Sequence, residues 1–449
     1  MYNESMDSLI SIEETGDLFS TSYSDEQGNI FEEPDLAALG RSWDEMWEIE
    51  PGDMIPMPEG STIVVLPGRR SLGLAQGSGE VLSIWTYEEV SGKGIERPGL
   101  AVAALLPIGF TRTLVPAYVL EEREEPVTLP LYGYTAMAVR NGKPYVAARQ
   151  TDDPSRWDPK AYNTPDLPGL IEERLGENPN NRLLQQLANC SLTYSCPTAQ
   201  NVFYRRWEGG IPVSPACSAN CIGCISLQPS ECCPSPQARI DFIPSVQEIV
   251  EIAVPHLEEA SGAIISFGQG CEGDPLLQGE TLSQAIACIR AETIRGILNL
   301  NTNAGLATEM SKVLRAGLDS IRVSLISARE ETYNAYHRPR GYSFSNVIDS
   351  IKQAKDLGVY VSLNLLSFPG LTDRKEEFEA LSDFVDKLGI DMIQLRNLNI
   401  DPDILVQALP APSEETMGID KVIDGLRIRF PHVRLGSFSP SGEELGRRP

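Results

Sequence analysis

"ATEMSKVLRAGLDSIRVSLIS", residues 307–327, decides the fold. The part up to Gly317 reads as an amphipathic helix, and "DSIRVSLIS" (319–327) reads as a strand. A glycine between them suits an αβ connection, because it takes the left-handed conformation at a helix end without a steric cost. The same unit recurs on both sides. "GAIISFG" (262–268), "GILNLNTN" (296–303), "VYVSLNLLSF" (359–368) and "IDMIQLRNL" (390–398) read as further strands. Amphipathic helices lie between them, such as "SVQEIVEIAVPHLEEA" (245–260), "TLSQAIACIRAE" (281–292) and "FSNVIDSIKQAKDLG" (344–358). Alternating strands and helices imply a parallel sheet with right-handed crossovers. With "GIPVSP" (210–215) as the first strand the count is six units, short of a closed TIM barrel. The expected fold class is α/β, a partial (β/α)6 TIM-like barrel with an N-terminal β-rich domain.

That upstream domain has another rhythm. Residues 61–150 carry short apolar runs cut by Pro and Gly, such as "STIVVLPG" (61–68) and "GLAVAALLP" (99–107), and "NGK" (141–143) marks a hairpin turn. Residues 151–210 read as a Pro- and Asp-rich linker and a helical connection. The first sixty residues hold sixteen acidic residues and one basic residue, Arg41, and are expected to be a solvated, partly disordered segment. The expected organisation is 1–60 acidic segment, 61–150 β-rich domain, 151–210 connection, 211–400 partial barrel and 401–449 C-terminal extension.

The whole chain of 449 residues carries a formal net charge of −26, with 63 acidic against 37 basic residues. Such a chain repels polyanions, which argues against nucleic acid or an anionic membrane as partner. It has no apolar run long enough for a membrane span, and its N-terminus lacks the basic start and apolar block of a secretion signal. A cytoplasmic location is expected. In that reducing compartment cysteines more often serve metals or catalysis than disulfides.

"PACSANCIGCISLQPSECC" (215–233) holds five of the nine cysteines. Cys217, Cys221 and Cys224 read C-x3-C-x2-C and follow the first strand, at the sheet edge where parallel α/β folds place their chemistry. A zinc site usually takes four ligands, and none of His256, His337 and His432 lies close in sequence. Thiolates suit zinc and iron–sulfur clusters alike. Spacing ranks iron–sulfur first, zinc second and structural thiols third. Three cysteines on a four-iron cluster leave one iron open, as a reactive cluster requires.

These features together resemble the radical S-adenosylmethionine (radical SAM) superfamily. The resemblance covers roughly 211–400, and "GLDSIRVSLISAREETYNAYHR" (317–338) is similar to the fourth strand and following helix of the molybdenum-cofactor cyclase branch. It implies that Cys217, Cys221 and Cys224 hold three irons of a 4Fe-4S cluster and that SAM chelates the fourth. It further implies reductive cleavage of SAM to methionine and a 5′-deoxyadenosyl radical, which abstracts hydrogen from a substrate under anaerobic conditions. One departure stands out: the residue before the third cysteine is often aromatic in the superfamily and is Gly223 here.

The resemblance also assigns the loops. "SFGQGCEGDPLL" (266–277) corresponds to a "GGEP"-like turn, with Gly268, Gly270 and Gly273 letting carbonyls approach the SAM amino group. Either Glu272 or Asp274 is its acidic partner, with Asp274 favoured by position. Asn301, Thr302 and Asn303 on the third strand and Ser324 on the fourth are candidates for the ribose and the SAM carboxylate. Asn364 and Asn399 are weaker candidates near the adenine. As a structural alternative, Asn and Ser also cap turns and helices. "YHRPRGY" (336–342) places His337, Arg338 and Arg340 near the top of the sheet, and "YRRW" (204–207) precedes the first strand. Either could meet an anion or stay solvated.

Cys190, Cys196, Cys232 and Cys233 form a candidate set for a second, auxiliary iron–sulfur cluster, the other reading being fillers. Cys288 reads as core, and Cys271 has no assigned task. The expected partners are a small-molecule or peptide substrate and an electron donor such as flavodoxin or ferredoxin. The catalytic residue and the substrate are not legible. A non-catalytic metal-binding protein and an RNA-modifying enzyme stand as alternatives, the latter fitting poorly with the negative charge.

Overall fold

The computed structural model describes residues 19–90, 93–122, 127–227, 239–413 and 415–446. Seven parallel strands form one sheet in sequential order: β1 (Arg206–Gly210), β2 (Ser261–Phe267), β3 (Ile297–Thr302), β4 (Ser320–Leu325), β5 (Tyr360–Ser367), β6 (Met392–Asn397) and β7 (Arg434–Gly436). Helices α1 (Val246–Glu259), α2 (Gly279–Glu292), α3 (Ala307–Arg315), α4 (Glu330–His337), α5 (Phe344–Asp356), α6 (Lys375–Leu388) and α7 (Ile419–Arg429) lie between the strands. Ser245 begins α1 with a capping box to Glu248, and Gly389 ends α6 in the left-handed conformation. Among the described residues β1 and β7 do not pair, so the barrel is open. This is the expected partial barrel, with a seventh, short strand drawn from the C-terminal extension.

Two details differ from the sequence reading. The first strand is Arg206–Gly210, earlier than "GIPVSP". The ladder stops there because Pro212 has no N–H to continue it, although Ile211 still donates to the Ser266 carbonyl at 2.9 Å. Residues 20–56, expected to be acidic and partly disordered, supply four strands, Ser20–Ser24, Ile30–Ser42, Glu45–Glu48 and Met54–Pro56. These join an antiparallel sheet with Thr62–Ala75, Leu100–Leu105 and the hairpin Met137–Arg140/Lys143–Gln150. Asn141 and Gly142 turn that hairpin with φ of 52° and 67°, as the motif predicts.

Side chains alternate strictly across the parallel sheet. Leu298, Leu300, Ile321, Val323, Leu363 and Ile393 face the helices and form the main core. The alternate positions, among them Ser266, Asn299, Asn301, Arg322, Ser324, Asn364, Gln394 and Arg396, face the concave side. The lumen is therefore polar. Its lower end is closed by the C-terminal segment: Arg322 bonds the Ser439 hydroxyl, and the Ser437 N–H meets Asp152.

The N-terminal sheet docks on the mouth of β5 and β6. Arg69 pairs with Asp401 at 2.8 Å and with Asp403 at 3.1 Å, while Arg41 pairs with Asp403 at 3.1 Å. Arg112, fully buried, donates to the carbonyl of Leu398 at 2.7 Å. No helix among the described residues is long and apolar enough to cross a membrane.

Candidate cluster and cofactor site

The cysteine loop leaves β1 at the C-terminal edge of the sheet and is held on two sides. On one side it zips to the glycine turn after β2: Gly273 N–H donates to the Ser214 carbonyl at 2.7 Å and Asp274 N–H to the Ala216 carbonyl at 2.9 Å. A Cβ on Gly273 would lie 1.9 Å from the Ala216 oxygen, so only glycine fits this approach. On the other side the loop pairs with the end of α4. Asn220 N–H donates to the His337 carbonyl at 3.0 Å, Ile222 N–H to Tyr336 at 3.1 Å, and Arg340 N–H to Ser218 at 2.7 Å. Helix α4 can stop there because Arg338 adopts the left-handed conformation with φ 48°, followed by Pro339.

Cys217, Cys221 and Cys224 are each partly exposed. Burial pushes the Cys217 thiol up to about 11, with the charge of Asp274 adding to it, and burial also pushes Cys221 up. Without a metal these groups stay protonated, so binding one must release protons. Arg239 reaches the Cys224 sulfur at 3.5 Å. His337 Nδ1 lies 3.3 Å from the Cys221 sulfur, and burial pushes this imidazole down to about 3, so it is neutral. Among the described residues no three metal-ligating side chains gather as a single-ion cage. A cluster, by contrast, takes each thiolate on a separate iron. Three soft donors on one loop beside a glycine-rich turn fit an iron–sulfur cluster.

The turn after β2 differs from expectation in how its acids are used. Both are buried and committed inward. The Glu272 carboxylate accepts from the N–H groups of Val213 at 2.8 Å, Ser214 at 3.0 Å, Gln269 at 3.1 Å and Gly268 at 2.5 Å. Burial pushes its pKa up to about 8, while the four N–H donors around it favour the carboxylate. Asp274 accepts from the Thr302 hydroxyl at 2.9 Å, Asn303 N–H at 2.7 Å and Leu276 N–H at 3.0 Å. What the turn offers the mouth is backbone, since Gly268, Gly270 and Gly273 are partly exposed where Glu272 and Asp274 are not. Gly268, at φ 83°, has no room for a side chain, as a Cβ would meet the Asn301 carbonyl at 1.8 Å.

The remaining candidates divide. Asn301, Ser324 and Asn364 are partly exposed on the lumen face near the strand ends. Asn303 is turned inward, with its amide on the Ser218 hydroxyl at 3.0 Å. Asn399 is packed against Gly133, where a Cβ would stand 3.2 Å from its oxygen. Arg338 and Arg340 lie on an outer cleft of about 570 Å³ with Asn220 and Tyr342. Arg205 pairs with Glu259 at the surface, and Arg206 stacks on Tyr204.

Of the auxiliary set, Cys232 and Cys233 lie outside the described residues. Cys190 and Cys196 are buried, and the Cys190 side chain meets Cys271 rather than a shared cavity with the motif cysteines. Cys288, read as core, is exposed. The sequence reading missed Tyr336, whose hydroxyl would stand 2.7 Å from a Cβ on Gly223. It fills the space that opens where Gly223 replaces an aromatic residue.

The sequence model of the family described as Radical SAM superfamily matches residues 211–385. A protein of Methanosarcina acetivorans named "Probable GTP 3',8-cyclase" is 24% identical over 230 residues, covering 50% of this chain and 64% of that protein. Another with this name, from Aeropyrum pernix, is 27% identical over 183 residues, covering 40% of this chain and 48% of its own. The chain thus spans less than two thirds of the length of these relatives. Among solved structures, methylornithine synthase aligns with a TM-score of 0.36 at 16% identity, over 59% of this chain and 78% of that one. A radical SAM methyltransferase from Sphaerobacter thermophilus aligns at 0.38 and 14%, over 52% and 66%. The family match falls on the segment that holds the cysteine loop, the glycine turn and β2 to β5, so it is residues 211–385 of this chain that are similar to the radical SAM superfamily.

Proposed function

We propose that the chain is a radical SAM enzyme in which Cys217, Cys221 and Cys224 hold a 4Fe-4S cluster with one iron open to SAM. The observation that carries this is the cysteine loop itself, fixed between the Gly273 turn and the end of α4 with its three thiols half-exposed at the sheet mouth. When bound, the cluster and SAM supply reductive cleavage of a sulfonium C–S bond and hydrogen abstraction from a substrate carbon. The chain's own residues do the positioning. Backbone at Gly268–Gly270 faces the mouth without side chains in the way, which suits an approaching ammonium. Asn301 and Ser324 offer hydrogen-bonding groups at the ends of adjacent strands. Glu272 and Asp274 hold the two loops in register instead of touching the cofactor. The N-terminal sheet, docked over β5 and β6, limits water at that side.

The substrate is a small molecule or a peptide, and GTP, in the names of the matched relatives, is the first nucleotide to try. A low-potential donor such as flavodoxin or ferredoxin would deliver the electron, and the expected setting is the reducing cytoplasm. Anaerobically reconstituted protein should bind about four irons and convert SAM to 5′-deoxyadenosine under reducing conditions. Replacing all three cysteines by Ala should remove both the iron and the product. Stoichiometric zinc with no iron in the parent protein, or iron retained in full by the triple variant, would overturn the reading.

A further inference from the structure

Inside the barrel one cation stands out. Arg396, the penultimate residue of β6, faces the lumen beside Leu366 of β5 and is half-buried. Both of its hydrogen bonds leave from Nη2, to the Gln394 side chain at 3.0 Å and to the Ser437 carbonyl at 2.7 Å. Among the described residues neither Nε nor Nη1 has a hydrogen-bond partner. Among the described residues no carboxylate lies within ion-pair distance of it. The nearest acids are already engaged: Glu208 pairs with Arg322 at 2.9 Å, and Asp152 holds the Ser437 N–H. Burial, with the like charge of Arg322 added, pushes the guanidinium down to about 10 against the more distant opposing charges of Glu208 and Asp152. A half-desolvated guanidinium without a carboxylate is costly unless a ligand completes it. Its register neighbours on the lumen face, Leu366 beside it and Gln394 and Asn364 one step below, carry no charge.

We propose that Arg396 anchors an anionic group, a carboxylate or a phosphate, of a small substrate held in the lumen. The fork of free Nε and Nη1 donors matches the paired oxygens of either group. This rests on the reading of the chain as a radical SAM enzyme, but it is tested by binding, which needs no turnover.

Inorganic pyrophosphate and succinate serve as probes of the two chemistries, measured by equilibrium dialysis on the SAM-loaded holoenzyme at constant ionic strength. One of them should bind, and Arg396→Gln should weaken it roughly ten- to a hundredfold while iron content and SAM affinity stay unchanged. On the parent protein the bound anion should slow phenylglyoxal modification of Arg396, read by peptide mass spectrometry, several-fold more than that of Arg338. This second measurement decides alone if Arg396→Gln does not fold. The proposal is overturned if neither anion protects Arg396, or if Arg396→Gln binds the protecting anion as tightly as the parent. It is equally overturned if Arg396→Gln loses SAM affinity, which would give the guanidinium to the cofactor. Failure of the parent to cleave SAM would instead count against the enzyme reading and leave the anion measurements standing.

Discussion

Replacing His337 by Phe should lower the reduction potential of a cluster on the three motif cysteines. His337 Nδ1 lies 3.3 Å from the Cys221 sulfur, and burial keeps the imidazole neutral. A thiolate ligand has only lone pairs to offer, so Nδ1 must carry the hydrogen and donate. The bond strengthens when the cluster takes an electron and its sulfurs grow more basic, so the donor favours the reduced state. A net hydrogen bond is worth about 0.5–1.5 kcal/mol, equivalent to about 20–65 mV for one electron. Only the difference between oxidation states registers, so a fall of a few tens of millivolts is expected, with that range as its limit. Phe keeps the ring packing on Tyr333, now 4.3 Å between centroids, and removes only the donor. The assay is a redox titration followed by electron paramagnetic resonance, on parent and variant matched for iron content. A potential that stays within about 10 mV of the parent, well under that hydrogen-bond range, or one that rises, would refute the hydrogen-bond argument.

Asp274→Asn and Glu272→Gln should each destabilise the cluster-free protein by roughly 1–3 kcal/mol, because each weakens acceptors for buried N–H groups; a normal melting temperature with SAM binding weakened more than tenfold in Asp274→Asn would show that this carboxylate reaches the cofactor. Burial pushes His256 down to about 4 from an ordinary 6.5, while Nε2 keeps its 2.8 Å contact with the Trp207 carbonyl. Its contribution is present above pH 6.5 and is lost as pH falls towards 4, on the order of 3 kcal/mol, so His256→Gln should flatten the acid side of a melting-temperature profile. Asp401→Ala leaves the buried Arg69 to its pair with Asp403, takes the acceptor from the Leu129 N–H and should cost roughly 1–3 kcal/mol, visible in urea denaturation; Asp383→Ala, which breaks an exposed pair with Lys387, should cost almost nothing.

The barrel was legible because its two periodicities are clean. "SIRVSL" alternates polar and apolar residues, and the amphipathic helices around it end at glycines, so each unit carries its own boundaries. The cysteine motif was legible because its three thiols sit on one loop. What escaped was set by contacts far apart in sequence. Glu272 and Asp274 looked like cofactor ligands in a Gly-rich turn, but their partners lie on the loops after β1 and β3. The role of "YHRPR" as a clamp on the cysteine loop depends on backbone pairing between Ala219 and Pro339, which no local pattern records. Composition misled in the first sixty residues. Within the described residues 20–56, Asp35, Glu45 and Glu48 take exposed strand positions, whereas Ala37, Ala38 and Leu39 are buried.

The N-terminal sheet is more than an appendage to the barrel, because it shares a core with the cysteine loop. Trp43, Val115 and Leu131 from the sheet pack in one apolar cluster with Tyr336, Phe368, Leu398 and Ile400, and Cys221 and Ile222 lie against it. Burial of side chains of this size contributes roughly 1.5–3 kcal/mol each, so detaching the sheet would expose a surface next to Cys221. Arg112 adds to the constraint. It is fully buried, its guanidinium donates to the carbonyls of Tyr134 and Leu398, and its backbone N–H meets the Asn397 side chain at 2.9 Å. Burial pushes that guanidinium down to about 9, a cost the chain accepts only where both carbonyls are in place. The loop after β6 is thereby fixed from the N-terminal side, directly after Arg396. The sheet that docks on β5 and β6 thus also sets where the lumen cation stands, and if Arg396 anchors an anion as proposed, a change in that sheet should alter the anion's affinity without touching the cysteine motif.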